Sequence, residues 1–382
     1  MGGVLITGAV SIKALVALRS LGKKGVPAYT ADSSSHPLAS YSKYSKKNFT
    51  YTPPATNPTA FISDVQSILK KNPCDVLIPT YSEDTYAIAK HRSSFEEYTK
   101  VPLHDYQILA HVNNKGYLMK AAEELGLPIP RTFCVESFSD LNKVAETIDY
   151  PAVIKLRESA SSIGLSYVYS KSELLEKFKK TVERFGLSSS DYPLVQEYIT
   201  GDGYGVSALF NHGDPRAVFT HKRIREYPIT GGPSSSRVSV RMPEMEKIAL
   251  DLLKHFQWHG VAMVEFKFTR EKRPVIMEIN PRFWGSLNQA ILAGIDFPHM
   301  LYTMAVEGDV KPVFNYKIGV ESRIAFIDTV AILKTVRKTG NIRLLKELMR
   351  LPRNDDIFSL DDPLPAIRFI GMGIQEILHD KR

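Results

Sequence analysis

Two neighbouring segments in which apolar and polar residues alternate constrain this chain more than any other feature. Segments 264–268 and 275–282 both have the period of a β-strand, and the stretch between them is short and polar. This pattern predicts a β-hairpin. If residues 270–273 form a four-residue loop, Phe268 faces Val275, and the register of the remaining pairs is fixed.

That register places two acidic side chains opposite each other. Glu265 faces Glu278, and Asn280 falls on the same face of the hairpin. Opposed carboxylates lie about 5 Å apart at Cβ and repel each other, so a cation is expected between them. Oxygen ligands without a nearby Cys or His suit Mg²⁺. The alternative is a solvated hairpin whose acids pair with Lys267 or Arg282.

Length and composition limit the class of protein. A chain of 382 residues, with 43% hydrophobic and 24% charged residues, predicts two or three domains of a soluble globular protein. No apolar run approaches the roughly 20 residues of a membrane span. Segment 4–10 lacks the basic start of a signal peptide, so a cytoplasmic location is expected. The net charge of +8 is moderate for this length, and the sequence contains no block of like charges. It fits an anionic ligand at least as well as a nucleic acid, and no nucleic-acid partner is expected.

The N-terminal third has the pattern of a parallel α/β sheet. A buried strand at 4–9 is followed by a helix that Ser11 can cap, and a second strand ends at Asp32. The glycine fingerprint of dinucleotide-binding proteins is missing, which argues against a dehydrogenase. A third strand at 75–80 ends in the polar residues 81–84, at the edge where open α/β sheets bind ligands. Glu83 either contacts substrate there or begins the next helix.

A different pattern begins near residue 113. Asn113 or Asn114 caps a helix, and we expect a domain boundary just before it. A strand at 150–155 then delivers Lys155 to a loop of small residues that can approach phosphate oxygens. A further strand at 192–199 has an end that could present its backbone to an adenine.

The order of these parts resembles the ATP-grasp superfamily. The resemblance spans residues 113–307, and the Glu-Ile-Asn-Pro-Arg hairpin is its most distinctive part. Residues 1–112 are similar to the domain that precedes ATP-grasp in carbamoyl phosphate synthetase, biotin carboxylase and carboxylate–amine ligases. The resemblance implies an α/β fold: a Rossmann-like parallel sheet, then a two-lobed ATP-grasp domain with lobes at about 113–200 and 201–307, then a mostly helical extension at 308–382.

The resemblance also implies roles for individual residues. Those implied to bind ATP are Lys115, Lys155, Ser159, Ser161, Ser162, Gly164, Gln196, Glu197, Ile199 and Asp202. Within this set the lysines hold phosphates under the loop 159–164, the segment 196–199 contacts adenine, and Asp202 takes the place of a ribose-binding acid. Two departures from the family affect these roles: Leu156 follows the strand lysine where proline is common, and Gly203 stands where many members have the ribose-binding acid.

Metal and acyl-group roles follow from the same resemblance. Glu265, Glu278 and Asn280 match the ligands of Mg²⁺, a site that could also take Mn²⁺. Arg282 matches the arginine that steadies the transferred phosphate or the acyl group.

Segment 221–237 contains two further candidate catalytic residues. If 221–225 is a strand, Arg223 and Arg225 share a face and could clamp a phosphate or carboxylate. The Gly-Gly-Pro-Ser-Ser-Ser stretch after them is typical of a closing loop. The alternative is a pair of arginines on an exposed strand followed by a linker.

Three functions are compatible with these residues. The first is a carboxylate–amine ligase that forms an acylphosphate and couples it to an amine. The second is activation of bicarbonate or carbamate. The sequence shows neither a duplicated ATP-grasp half nor a biotin-carrier segment, which argues against this function. The third is an ATP-binding regulatory protein without turnover.

The C-terminal extension is locally basic. Residues 323–353 contain eight Lys or Arg residues and two acidic residues. This surplus indicates a solvated helical face or a surface that docks an acidic partner. The sequence is also compatible with a homodimer.

Overall fold

The computed structural model describes residues 2–158, 163–229, 231–349 and 354–379. The N-terminal region forms a parallel sheet of four strands in the order β3-β2-β1-β4. Its elements are β1 Val4–Thr7, α1 Ile12–Lys23, β2 Ala28–Asp32, a 3₁₀ helix Leu38–Tyr41, β3 Ser45–Thr50, α2 Pro58–Lys71, β4 Val76–Pro79, α3 Ser82–Lys90, α4 Arg92–Glu96 and α5 Tyr106–Asn113. Ser11 caps α1 as predicted, because its side chain accepts from the Ala14 N–H.

The second region is built around a small antiparallel sheet of order β5-β8-β6-β7. Its elements are α6 Lys115–Glu124, β5 Thr132–Cys134, α7 Phe138–Thr147, β6 Ala152–Lys155, β7 Ser166–Val168, α8 Lys171–Phe185, a 3₁₀ helix Ser189–Asp191 and β8 Leu194–Glu197. Asn114 caps α6 through its side-chain oxygen, which satisfies the backbone N–H groups of Gly116 and Tyr117. The cap fixes Lys115 at the first position of that helix.

The third region is a six-stranded sheet of order β13-β12-β9-β10-β11-β14, whose neighbouring strands are antiparallel. Its elements are β9 Asp202–Asn211, β10 Asp214–Glu226, β11 Ser234–Ser239, α9 Pro243–His255, β12 Gly260–Phe268, β13 Pro274–Asn280, α10 Leu287–Ala293, α11 Phe297–Glu307 and β14 Glu321–Arg323. The predicted hairpin is β12 and β13, at the edge of this sheet.

Two hydrophobic cores join the N-terminal sheet to the third region, whereas the small antiparallel sheet has a core of its own. One core joins Leu77 of the N-terminal sheet to Val264 and Ile276 of the hairpin. A second core joins the opposite face of the N-terminal sheet to α10 and α11. The small antiparallel sheet has a third core of its own, which includes Phe178. Helix α6, expected to open the small lobe, packs Leu118 into the first core instead. The predicted domain limits remain a prediction.

The C-terminal extension is α12 Ala325–Thr339, a 3₁₀ helix Ile342–Met349 and α13 Leu364–His379. Two buried ion pairs fasten it to the rest of the chain. Asp362 accepts from Arg19 of α1 at 2.8 Å, and Asp356 pairs with Arg237 of β11. Among the described residues, no helix is long and apolar enough to cross a membrane.

Candidate active site

The β12–β13 hairpin brings the two predicted carboxylates face to face. Glu265 pairs with Glu278, as predicted, but the predicted loop is wrong by one residue because Phe268 pairs with Pro274 and not with Val275. A β-bulge between Ile276 and Glu278 adds one residue to β13 and restores the expected register at the acids. Bulges re-aim side chains beside functional sites, and here the bulge keeps both glutamates opposed.

The surroundings of this pair are strongly charged. The Asn280 amide donates to Oε1 of Glu265 at 2.9 Å, and the Arg223 guanidinium donates to Oε2 of the same carboxylate. Burial, and then the neighbouring Glu265 carboxylate, raise the pKa of Glu278. Nζ of Lys115 lies 3.7 Å from Oε2 of Glu278. The site therefore concentrates negative charge on the hairpin and positive charge around it.

Lys155 is the last residue of β6, close enough to Glu278 for their charges to interact. We call the region between the small sheet and the hairpin the cleft. Its ammonium donates to Oε1 of Gln196 at 2.7 Å, and the Gln196 amide donates in turn to the Thr132 hydroxyl at 2.8 Å. These bonds fix the lysine side chain across neighbouring strands of the small sheet. Burial lowers the pKa of Lys155 to about 8.

The segment assigned to adenine follows directly along β8. The exposed Glu197 accepts from the backbone N–H of Arg131 at 3.1 Å, and Ile199 is half-buried just beyond the strand. Asp202 forms an ion pair with Lys222 at 2.6 Å on the surface. Their roles in nucleotide binding remain predictions.

The small-residue loop is described only at its ends. Ser159, Ser161 and Ser162 lie outside the described residues. Gly164 has a φ of +70°, and a Cβ at this position would lie 2.5 Å from Cγ of Leu156. A side chain at Gly164 would therefore be strained in its backbone and blocked by its neighbour.

The two arginines of β10 do not converge. Arg223 donates to Glu265 and Glu226, whereas both oxygens of the Asp328 carboxylate accept from Arg225, at 2.8 and 2.7 Å. An irregularity in the β10–β11 register separates the two positions, so the shared face expected from a regular strand does not form. Burial alone would lower the pKa of Arg223, but the two glutamates raise it above its usual value.

Arg282 lies where the hairpin meets the N-terminal sheet. Nε donates to the Ser82 hydroxyl at 2.8 Å and Nη1 donates to the Phe283 carbonyl at 3.0 Å. Burial lowers the pKa of Arg282. Glu83 occupies the first turn of α3 and is exposed.

Sequence reasoning missed one cation at this junction. Nζ of Lys13, in the first turn of α1, lies 5.4 Å from the centroid of the Tyr81 ring. The polar stretch after β4 was a signal for Ser82, but Lys13 carries no motif of its own. The parallel pairing of β1 with β4 brings the loop before α1, and with it Lys13, to the carboxyl end of β4.

The donor set of the hairpin fits a hard divalent cation. Two carboxylates and one amide converge, and the raised pKa of Glu278 reflects charge that a cation would neutralise. The described part of the chain contains no group of three or more His, Cys, Asp or Glu residues that could hold a metal without further ligands. A metal at this site would therefore need additional oxygens, such as those of nucleotide phosphates.

Comparisons with known proteins match this arrangement. The family profile described as "ATP-grasp in the biosynthetic pathway with Ter operon" matches residues 189–323. A formate-dependent phosphoribosylglycinamide formyltransferase of Wolinella succinogenes is 28% identical over 176 residues, which are 45% of this chain and 44% of that protein. A D-alanine–D-alanine ligase of Pelotomaculum thermopropionicum is 24% identical over 213 residues, which are 49% of this chain and 65% of that protein. The chain thus spans less than two thirds of both relatives.

A solved structure extends the likeness to the N-terminal region. The biotin carboxylase domain of Hydrogenobacter thermophilus 2-oxoglutarate carboxylase, in complex with MgADP, ADP and bicarbonate, superposes with a TM-score of 0.68 at 11% identity. The match covers 83% of this chain and 73% of that chain, and at this identity it shows the fold alone. Residues 189–323 therefore form a segment similar to the ATP-grasp family, and the solved structure shows a shared fold over most of the chain.

Proposed function

We propose that this protein is an ATP- and Mg²⁺-dependent ligase that joins a carboxylate to an amine through an acylphosphate. The observation that carries the proposal is the opposed pair Glu265 and Glu278, with Asn280 on one side and Lys115 on the other. Such a site would hold a metal and phosphates together. The names of the matched ligase and formyltransferase support bond formation between an acid and an amine.

Glu265, Glu278 and Asn280 would hold Mg²⁺, or Mn²⁺ in its place, and the metal would neutralise charge on the nucleotide phosphates. Lys115 and Lys155 would bind the phosphates of ATP from the two sides of the cleft. Gln196, Glu197 and Ile199 would contact adenine, and Asp202 the ribose. Gly164, with Ser159, Ser161 and Ser162, would cover the phosphates.

The reaction needs no covalent bond to the protein. A carboxylate oxygen of the acid forms a bond to the γ-phosphorus of ATP, and the bond from that phosphorus to the bridging oxygen breaks to release ADP. The amine nitrogen then bonds to the acyl carbon, and phosphate leaves with the electrons of the carbon–oxygen bond. The amine loses its proton to solvent or phosphate. Arg282 and Arg223 would stabilise charge on the transferred group.

Arg225 has a different role in this proposal. Its bidentate pair with Asp328 of α12 anchors β10, and Lys334 of the same helix donates to the Tyr227 hydroxyl at 2.9 Å. Helix α12 thereby holds the start of the loop that was expected to close over substrate. We assign Arg225 to the positioning of this loop and retain its direct contact with substrate as the alternative.

Bicarbonate activation is the second candidate function. The structural likeness to a biotin carboxylase domain in complex with bicarbonate favours it. It would use the same metal and nucleotide residues with a smaller acid. An ATP-binding regulatory protein is a third candidate, against which the complete set of metal and phosphate residues argues.

Release of ADP from Mg-ATP, measured against a panel of carboxylates and amines, tests the proposal. Release that requires a carboxylate and an amine together supports the ligase. Release with bicarbonate that ignores all other acids would favour the second function. ATP binding without release under every condition would favour the regulatory protein.

We further propose a cytoplasmic location, where ATP is supplied, and small-molecule rather than nucleic-acid substrates. We also propose a homodimer, which a measurement of the molar mass in solution would test. An acidic partner could dock on the basic part of the C-terminal extension, where Ile342 is 71% exposed and Leu333 49% exposed beside Arg337 and Lys338. Removal of both basic residues should not change turnover of small substrates.

A further inference from the structure

The carboxyl edge of the N-terminal sheet meets the end of the hairpin at Tyr81 and Ser82. Arg282 donates to the Ser82 hydroxyl at 2.8 Å, and the Lys13 ammonium lies 5.4 Å from the Tyr81 ring centroid. Two residues from different regions of the fold thus bring their cations to one dipeptide. We call Lys13, Arg282, Tyr81 and Ser82 the acid side of the cleft.

The loop that leads into α1, whose first turn contains Lys13, is held firmly at this edge. The Ser11 hydroxyl lies 2.9 Å from the Thr80 hydroxyl, and a Cβ on Gly8 would lie 2.9 Å from Cβ of Tyr81. Gly8 also has a φ of +71°, which favours glycine. The position of Lys13 near Tyr81 is therefore fixed by the packing of the loop before α1.

Neither cation of the acid side forms an ion pair with a described residue. The acceptors of Arg282 are a hydroxyl and a backbone carbonyl, and Lys13 contacts an aromatic ring. The acids whose charges act on these two cations are engaged elsewhere. Asp84, which acts on Lys13, accepts from the Tyr51 hydroxyl at 2.6 Å. Glu265 and Glu278, which act on Arg282, have ion-pair partners in Arg223 and Lys115. Burial, and then the Arg282 charge, lower the pKa of Lys13 well below its usual value.

The other cations of the cleft differ in this respect. Lys115 lies beside Glu278, Lys155 donates to Gln196, and Arg223 is shared by two glutamates. We call these three residues the nucleotide side. Buried charges in proteins are normally compensated by a counter-charge. Lys13 and Arg282 are half-buried, and the groups that they contact directly are neutral. This arrangement indicates that an anion from outside the chain completes the acid side.

We propose that Lys13 and Arg282 bind an acid that carries two anionic groups, one being the carboxylate that is activated and the other a second carboxylate or a phosphate. This inference rests on the proposed ligase function. Arg282, two residues beyond Asn280, contacts the carboxylate nearest the metal site, and Lys13 contacts the second group.

The test is ADP release with matched acids of equal length. Butanoate, succinate and 3-phosphonopropanoate are compared, then L-glutamine with L-glutamate, each with Mg-ATP and an amine mixture. We expect a kcat/KM at least about 10-fold higher for the doubly anionic members. A preference for the phosphonate over the diacid identifies the second group as phosphate, and the reverse identifies a carboxylate.

Lys13→Gln should remove this preference without changing the KM for ATP, and Lys13→Arg should restore part of it. Lys23→Gln is the matched control, because Lys23 is on the same helix with its side chain 54% exposed. Thermal unfolding checks the fold, and loss of an uncompensated charge should leave Tm equal or higher. The panel on the unaltered protein decides the question even if the variant does not fold.

Other results would overturn the inference in distinguishable ways. Equal or better activity with singly anionic acids would refute the two-anion acid and leave the ligase standing. A rise in the KM for ATP in Lys13→Gln would move Lys13 to the nucleotide side. Absence of acid- and amine-dependent release with every acid would refute the ligase itself and the inference with it.

Discussion

The nucleotide side and the acid side of the cleft hold their cations in contrasting ways. Lys115, Lys155 and Arg223 have polar or acidic partners within the chain, whereas Lys13 and Arg282 have neutral ones. In the proposed function, the cations of the nucleotide side already have partners within the chain before the metal and the phosphates bind. The acid side leaves positive charge to be balanced by a substrate. The contrast suggests that ATP binding and acid selection are encoded in separate sets of residues.

The largest effect is expected at the metal site. Glu278→Gln should lower kcat by about 1,000-fold, because loss of a carboxylate weakens metal and transition-state binding. The fold should be retained, since removal of one of two opposed charges relieves repulsion. Steady-state kinetics and thermal unfolding measure both quantities. Glu271→Gln, in the exposed loop of the same hairpin, is the control. Near-normal turnover in Glu278→Gln would make the acid pair structural.

A second prediction separates the two sides directly. Arg282→Gln should lower kcat/KM for the acid by about 100-fold, since the guanidinium stabilises charge on the reacting group. The KM for ATP should change little, because Arg282 lies on the acid side. Varying each substrate in turn measures the two constants. A comparable loss for ATP would remove the distinction between the sides.

Arg225 provides the opposite case, an arginine whose charge is balanced within the protein. Arg225→Gln removes both hydrogen bonds that Arg225 donates to the fully buried Asp328 and should destabilise the fold by about 3 kcal/mol. Asp328 keeps the Ser235 hydroxyl at 2.9 Å and the Arg323 guanidinium at 3.9 Å. Urea unfolding measures this change. The KM for the acid should stay close to that of the unaltered protein under conditions where the variant is folded. A raised KM without a loss of stability would indicate direct contact with substrate.

The smallest effect is a pH dependence on the nucleotide side. The pKa of Lys155 is about 8 in the free protein, so its ammonium loses its proton as the pH rises through this value. Phosphate binding needs the protonated form, and kcat/KM for ATP should fall by about 10-fold per pH unit above it. In Lys155→Arg, this fall in kcat/KM should move to a pH above the range that can be measured. If kcat/KM for ATP still fell above this pH in the variant, the fall would come from another titratable group.

The sequence predicted local features better than long-range ones. The period of two placed Glu265 opposite Glu278. Ser11 was predicted as one helix cap and Asn113 or Asn114 as another, and the structure has Ser11 and Asn114 in these positions. The loop length was wrong by one residue, yet the prediction for the acids held because the bulge at Met277 cancels the error. Alternation alone does not reveal a bulge.

Contacts between distant residues could not be read from the pattern. Arg225 and Asp328 are 103 residues apart, and nothing in either segment signals their ion pair. Lys13 carries no sequence signal, because its approach to Tyr81 depends on the pairing of β1 with β4. The separate core of the small sheet likewise became visible only from packing.

The most direct test of the proposed chemistry follows one oxygen atom. Once the ADP-release panel has identified an acid, that acid is supplied with ¹⁸O in its carboxylate and the released phosphate is analysed by mass spectrometry. If the carboxylate is activated as an acylphosphate, each phosphate carries one ¹⁸O atom. Phosphate without label, formed at the same rate as the amide product, would contradict the account.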